Sequence, residues 1–351
     1  MYLRNALQPD LFSAGGDQFL ADLQHLRANL TRFASGLSRV RDFKVAAWSG
    51  HGVGVEIGEM SAAAIGELAR VIVDYGCPAF CDSGAFGVFQ RTLRGGAPTP
   101  LDFDDILRRY DAHSDAIEGY NAAETPFPAP LMVMPDIVGD QLGSLALIEH
   151  HRTYVRSAAF FPGVSRPIIP IQRGPIPLAE IYQRLVDLLE TEAFIVGVPS
   201  QAVGIAPHEF VAFLQQARPK AVHILGAFAD SRLTPRLSQI VEAGLARSIS
   251  VSTDGNPLRS IIIEAGQGAD GRREALRSKL GAAARRRELS YIIDDLGGPG
   301  ALPGVYAAHD PQGRQRLIGL LADFSDLPHD QVIAAFGFQP AATLTTAKDF
   351  P

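Results

Sequence analysis

Cysteine is nearly absent from this chain: Cys77 and Cys81, spaced C-x-x-x-C, are the only two in 351 residues. Two thiols cannot build a disulfide framework or a four-cysteine zinc site, and both read as reduced, small core residues. No apolar run approaches the roughly 20 residues needed to span a bilayer. The stretch "YLRNALQPDLF" after Met1 lacks the basic start, apolar segment and cleavage site of a signal peptide. The expectation is a cytoplasmic chain with no membrane partner. Also missing are a G-x-G-x-x-G after the first strand and a G-x-x-x-x-G-K-[ST] anywhere, which removes support from nucleotide-cofactor versions of a doubly wound sheet. A formal charge of −6 argues against non-specific coating of polyanions, although local basic clusters can still supply phosphate contacts on an acidic protein.

What is present is a core-forming composition, 46% hydrophobic and 20% charged over 351 residues. That suffices for one large core, or for a barrel with a small appendage. Short β-rich runs alternate with stretches of helical period. The strands are "KVAAW" (44–48), "PAFCD" (78–82), "LMVMPD" (131–136), "PIIPIQ" (167–172), "AFIVGV" (193–198), "AVHILG" (221–226) and "SISVSTD" (248–254). Between them "LDFDDILRRYDAHSDAI", "PLAEIYQRLVDLLE", "PHEFVAFLQQA" and "RLSQIVEAGLA" repeat apolar residues three or four apart. Strand-helix alternation means parallel strands with crossover helices. An eighth strand, either "MYLRNAL" at the start or "GVGVEI" at 52–57, would close a (β/α)8 TIM barrel. The rhythm breaks near 270–290 and after 295, so the expected organisation is a barrel over 1–295 and a C-terminal helical extension over 296–351.

In such a barrel, chemistry gathers at the C-terminal ends of the strands. Those ends are Asp82, Asp136, Gln172, Gly197 with Val198, Gly226 and Asp254. Each has an ordinary alternative. Asp82 or Asp136 would serve as a helix cap, "TDGN" around Asp254 would suit an Asp-Gly turn, and Gln172 would pass as a surface amide. The convergence of three acids and an amide on one face is the signal.

These segments, taken in order, resemble the tRNA-guanine transglycosylase superfamily. "DSGAF" (82–86) is similar to its D-S-G-G-[FY] motif, "MPDIVGD" to the segment with a base-recognising Asp, and "IPIQRG" to its Q-G turn. "FIVGVPSQAVG" resembles the glycine-rich segment that meets the base, "VHILG" the strand ending L-x-G, and "ISVSTDG" the strand bearing the nucleophile. The matches cover about residues 44–260. The resemblance implies that Asp254 attacks the anomeric carbon of a target nucleotide and that Asp82 is the acid and base. It implies that Asp136 and Gln172 bond the edge of the heterocycle, with backbone groups from Gly197 and Val198. Phe86 and Leu225 would sandwich the ring, and Ser83 would help position base or sugar. An aromatic after a strand is also commonly core.

The departures are equally specific. No cysteine follows residue 81, so the zinc site typical of the tRNA enzymes has no ligands here, and His223, His309 and His329 are too scattered to replace them. Ala85 stands for the second glycine of the motif, and Thr253 and Gly255 flank Asp254. The pattern is most similar to the DNA-modifying, DpdA-type branch, which implies exchange of guanine for a free 7-deazaguanine base such as preQ0. No metal or other cofactor is implied. A basic run, "GRREALRSKLGAAARRREL", places Arg272, Arg273, Arg277, Lys279, Arg285, Arg286 and Arg287 shortly after Asp254. It reads either as a solvated helix face or as a phosphate-binding surface. The expected partners are DNA, or tRNA for an enzyme that has lost its zinc, with partner proteins of a DNA-modification system. A non-catalytic nucleic-acid-binding subunit is the alternative of a different class, and a sugar or nucleoside hydrolase is a further one.

Overall fold

The computed structural model describes residues 14–256 with interruptions at 38–39, 41–42, 44–45, 48–51, 98–99, 122–126, 162, 201–203 and 228–229, and isolated positions at 319, 322 and 328–331. Strands β1 (Thr31–Leu37), β2 (Gly52–Glu56), β3 (Ala79–Asp82), β4 (Leu131–Val133), β5 (Arg166–Pro170), β6 (Ile195–Pro199), β7 (Ala221–Leu225) and β8 (Ser250–Gly255) pair in sequence order. β8 pairs back onto β1, with Phe33 opposite Asp254, so eight parallel strands form a closed barrel. The helices are α1 (Ala14–Ala28), α2 (Ala62–Tyr75), α3 (Ala85–Leu93), α4 (Phe103–Tyr120), α5 (Gln141–His150), α6 (Arg152–Phe160), α7 (Leu178–Leu189), α8 (Pro207–Ala217) and α9 (Asp230–Glu242). This is the (β/α)8 barrel expected from the strand-helix alternation.

Local chemistry sets where the helices begin. Ser61 accepts the Ala64 N–H at 3.2 Å to cap α2, and Asp102 accepts the Asp105 N–H at 3.1 Å to cap α4. At α8 Pro207 takes the first helical position, where its missing N–H costs nothing, and Glu209 reaches back to the Ala206 N–H at 2.9 Å.

Alternation along the strands sorts side chains into two cores. Phe33, Phe80, Leu131, Val133, Ile168 and Ile195 fill the barrel lumen. Val53, Val55, Met132, Ile169, Val196 and Ile224 face outward and pack under the helices. The lumen is therefore a packed floor, with room only above it at the strand ends. Close approach on that inner face explains Gly54 of β2: a Cβ there would stand 2.6 Å from the Ser35 Cβ of β1.

Two strand assignments differ from expectation. "GVGVEI" supplies β2, but the described part of "KVAAW", Ala46 and Ala47, is helical, and Lys44, Val45 and Trp48 lie outside the described residues. Alanine is the strongest helix former, and both alanines are buried. The strand paired with β2 on that side is instead "TRFASGL", β1. The other eighth-strand candidate, "MYLRNAL", the basic run with Arg272, Arg273, Arg277, Lys279, Arg285, Arg286 and Arg287, and nearly all of 296–351 lie outside the described residues. No described helix is long and apolar enough to cross a membrane.

Candidate active site

A cleft opens over the lumen floor at the C-terminal ends of the strands. Asp82, Phe86, Asp136, Gln172, Leu225 and Asp254 line it together, so six residues singled out in the sequence share one wall-to-wall space. Ala85, Val133, Val138, Pro170, Pro199, Ser200 and Gly226 complete the lining. Apolar walls around a few polar groups are the usual composition of a small-molecule site.

Asp254 ends β8 and is held at both carboxyl oxygens. Oδ1 accepts the Gly226 N–H at 2.7 Å and lies 3.3 Å from His223 Nε2, while Oδ2 accepts the Ser35 hydroxyl at 2.8 Å. Gly226 reaches this position with φ +72, a conformation that suits glycine. His223, fully buried on β7, has its other nitrogen 2.8 Å from Ser252 Oγ, its register partner on β8. An acceptor oxygen at Nε2 places a ring hydrogen there, and in the neutral ring Nδ1 then accepts the Ser252 hydroxyl. The imidazole stacks on Phe80, with centroids 4.7 Å apart and planes at 6°. The Asp-Gly turn reading thus gives way to a strand carboxyl held at both oxygens, from β1 on one side and from β7 and the residue after it on the other.

Asp82 ends β3. Its Oδ1 accepts the Gly84 N–H at 3.3 Å, a weak contact, and the residue that caps α3 is Gly84 itself. Burial, then the nearby Asp254, then Glu56, raise the Asp82 pKa to about 7. Asp136 follows β4. It does not cap α5, because Asp140 does so by accepting the Gly143 N–H at 2.9 Å. Burial first, and the Asp82 charge second, raise the Asp136 pKa to about 7, against the lowering effect of its bond from Gln172.

Gln172 is buried, not a surface amide, and both ends of its side chain are engaged within the protein. Its Nε2 donates to Asp136 Oδ2 at 2.9 Å and its Oε1 accepts the Gly139 N–H at 3.0 Å. Gln172 therefore orients Asp136. Gln141 of α5 fixes the turn behind it, donating from Nε2 to the carbonyls of Gln172 and Ile176 at 3.0 and 2.9 Å, and accepting the Ile176 N–H at 2.9 Å.

Three expected residues fall elsewhere. Ser83 is buried and its hydroxyl meets the Ala85 N–H at 3.4 Å, since the strand alternation that turns Asp82 inward turns Ser83 away. Gly197 and Val198, expected to offer backbone groups, do not line the cleft: the Gly197 carbonyl accepts the Ile171 N–H at 2.9 Å, and the Val198 side chain lies in the outer core. Two residues further on, Pro199 and Ser200 meet the cleft instead. The Ser200 hydroxyl is buried without a hydrogen-bond partner among the described residues. Arg236 of α9 secures this segment by donating to the Ile205 carbonyl at 2.7 Å.

Sequence reasoning missed Glu56, Ser35 and the role of His223. Glu56 ends β2 as Asp82 ends β3, so the strand-end rule would have found it once "GVGVEI" was placed. Among the described residues no cluster of His, Cys, Asp and Glu could hold a metal ion. No protein-family model matches the chain, and a search among curated proteins finds no match either.

Proposed function

We propose that this cleft exchanges a guanine in DNA for a free 7-deazaguanine base. The observation that carries the reading is the division of labour between two carboxyls lining one cleft. Asp254 is an acceptor at both oxygens, as a nucleophile must be, whereas Asp82 is pushed toward keeping a proton at neutral pH. Asp254 attacks C1′ of the target nucleotide, the C1′–N9 bond breaks, and its electron pair leaves with guanine, which takes the Asp82 proton. Asp82, now a carboxylate, removes the N9 proton of the incoming base, whose N9 displaces Asp254 from C1′.

Phe86 and Leu225 supply the flat walls, Asp136 faces the heterocycle edge, and the unpartnered Ser200 hydroxyl is left for the ligand. A base stacked in a duplex cannot reach the bottom of a barrel mouth, so the substrate nucleotide is unpaired or flipped out.

The test is incubation with DNA or tRNA and isotope-labelled preQ0, followed by digestion and mass spectrometry of the nucleosides. Label entering DNA is the expected result, and Asp254→Asn, nearly isosteric, should abolish both exchange and any trapped covalent adduct. Label entering tRNA alone would reassign the substrate. Exchange retained by the Asn variant would remove Asp254 as nucleophile.

A further inference from the structure

Glu56 and Asp82 are direct register partners on the parallel strands β2 and β3. Neighbouring strands lie roughly 5 Å apart and register partners project from the same face, so the Glu56 carboxyl stands beside that of Asp82, which lines the cleft. Like charges placed opposite one another in a sheet are destabilising. The Glu56 side chain tucks under the turn that starts α3, because a Cβ on Gly84 would collide with Oε1. Such a pair does not ionise fully without cost, and its protons leave in coupled steps.

The surroundings decide which partner keeps the proton. Asp82 also feels Asp254 from β8, and its own charge acts on Asp136 beyond β4 and on the Tyr110 phenol from α4. Glu56 faces Glu59 on its own segment and Arg91 from α3, the one cation among these groups. Burial and Glu59 raise the Glu56 pKa, and Arg91 lowers it. We infer that Glu56 is a positioning residue for the proton of Asp82: held beside Arg91 under the Gly84 turn, it takes the charge of the pair and leaves the proton on its partner. The inference rests on Asp82 being the acid and base of the proposed exchange.

The experiment is a carboxyl-carbon NMR titration of the full, ligand-free chain, which needs no turnover. In Glu56→Gln the Asp82 midpoint should fall from near 7 by about one unit, the scale of an unscreened neighbouring charge. The high-pH limb of exchange should move down with it, while KM for DNA stays unchanged. Glu56 ionises while Asp82 still carries its proton, so in Asp82→Asn the Glu56 midpoint should stay where it is in the wild type, below that of Asp82. This second arm stands even where Glu56→Gln does not fold. An unmoved Asp82 midpoint in folded Glu56→Gln, or a Glu56 midpoint that falls in Asp82→Asn and so shows Glu56 ionising second, overturns the inference. An Asp82 midpoint that falls in Glu56→Gln, in a protein whose wild type shows no exchange, would uphold the Glu56 role and sink the exchange reading.

Discussion

A raised carboxyl pKa has a cost that stability measurements can read at the level of one residue. The folded chain binds the Asp82 proton with a pKa of about 7 against 3.8 for the free group, so between those values the folded state holds more protons than the unfolded state. Stability therefore falls as pH rises through this window, and the deficit is complete above about 7. Asp82→Asn removes the titration. Its melting temperature should exceed that of wild type at pH 8 and approach it at pH 4, a gain in stability at the expense of chemistry. An equal difference at both pH values would mean that the Asp82 carboxyl is not held protonated by its surroundings. Asp82, Asp136 and Asp254 were legible because each follows an apolar run of recognisable strand character. Ser35 and His223 were not, since a hydroxyl in "TRFASGL" and an imidazole in "AVHILG" look like incidental polar residues until closure brings β7, β8 and β1 together.

At the scale of elements, α4 shows how a helix pins two strands that barely pair. β3 and β4 share only the partners Phe80 with Leu131 and Cys81 with Met132. The Tyr110 hydroxyl lies 2.9 Å from the Val133 carbonyl and 3.2 Å from that of Cys81, covering the place where they diverge. One turn along the same helix, His113 is fully buried and neither ring nitrogen has a hydrogen-bond partner among the described residues. Burial lowers its pKa to about 4 from 6.5. Here the unfolded chain takes the proton more readily, so stability is lost as pH falls from 6.5 toward 4. The full difference is worth about 3 kcal/mol. His113→Leu should flatten this part of the profile in pH-dependent chemical denaturation, and an unchanged difference between wild type and variant from pH 7 to pH 4.5 would place the titration elsewhere. Helical period made α7 and α8 legible nearly to the residue, and α4 to within three residues at each end. Strand identity was harder around β1, where Ser35 and Gly36 interrupt the apolar pattern while the neighbouring "KVAAW" imitates it.

For the molecule as a whole, the proposed exchange needs more than the cleft, because an acidic protein of net charge −6 would have to hold a polyanion. Long-range repulsion of that kind must be overcome locally, by basic side chains concentrated where the strand passes. The densest concentration in the sequence is the run from Arg272 to Arg287, which begins 18 residues after Asp254. If it contacts phosphates, replacing Arg285, Arg286 and Arg287 together with Gln should weaken DNA binding whatever the sequence, because phosphates carry no base identity. Each lost contact should also remove roughly 0.7 to 0.9 from the slope of log affinity against log salt. Exchange into a short unpaired substrate at saturating concentration should persist, because the carboxyls that perform it are untouched. A variant with unchanged affinity and an unchanged salt slope would make the run a solvated face, and would move the search for the DNA-binding surface to the rim of the cleft itself.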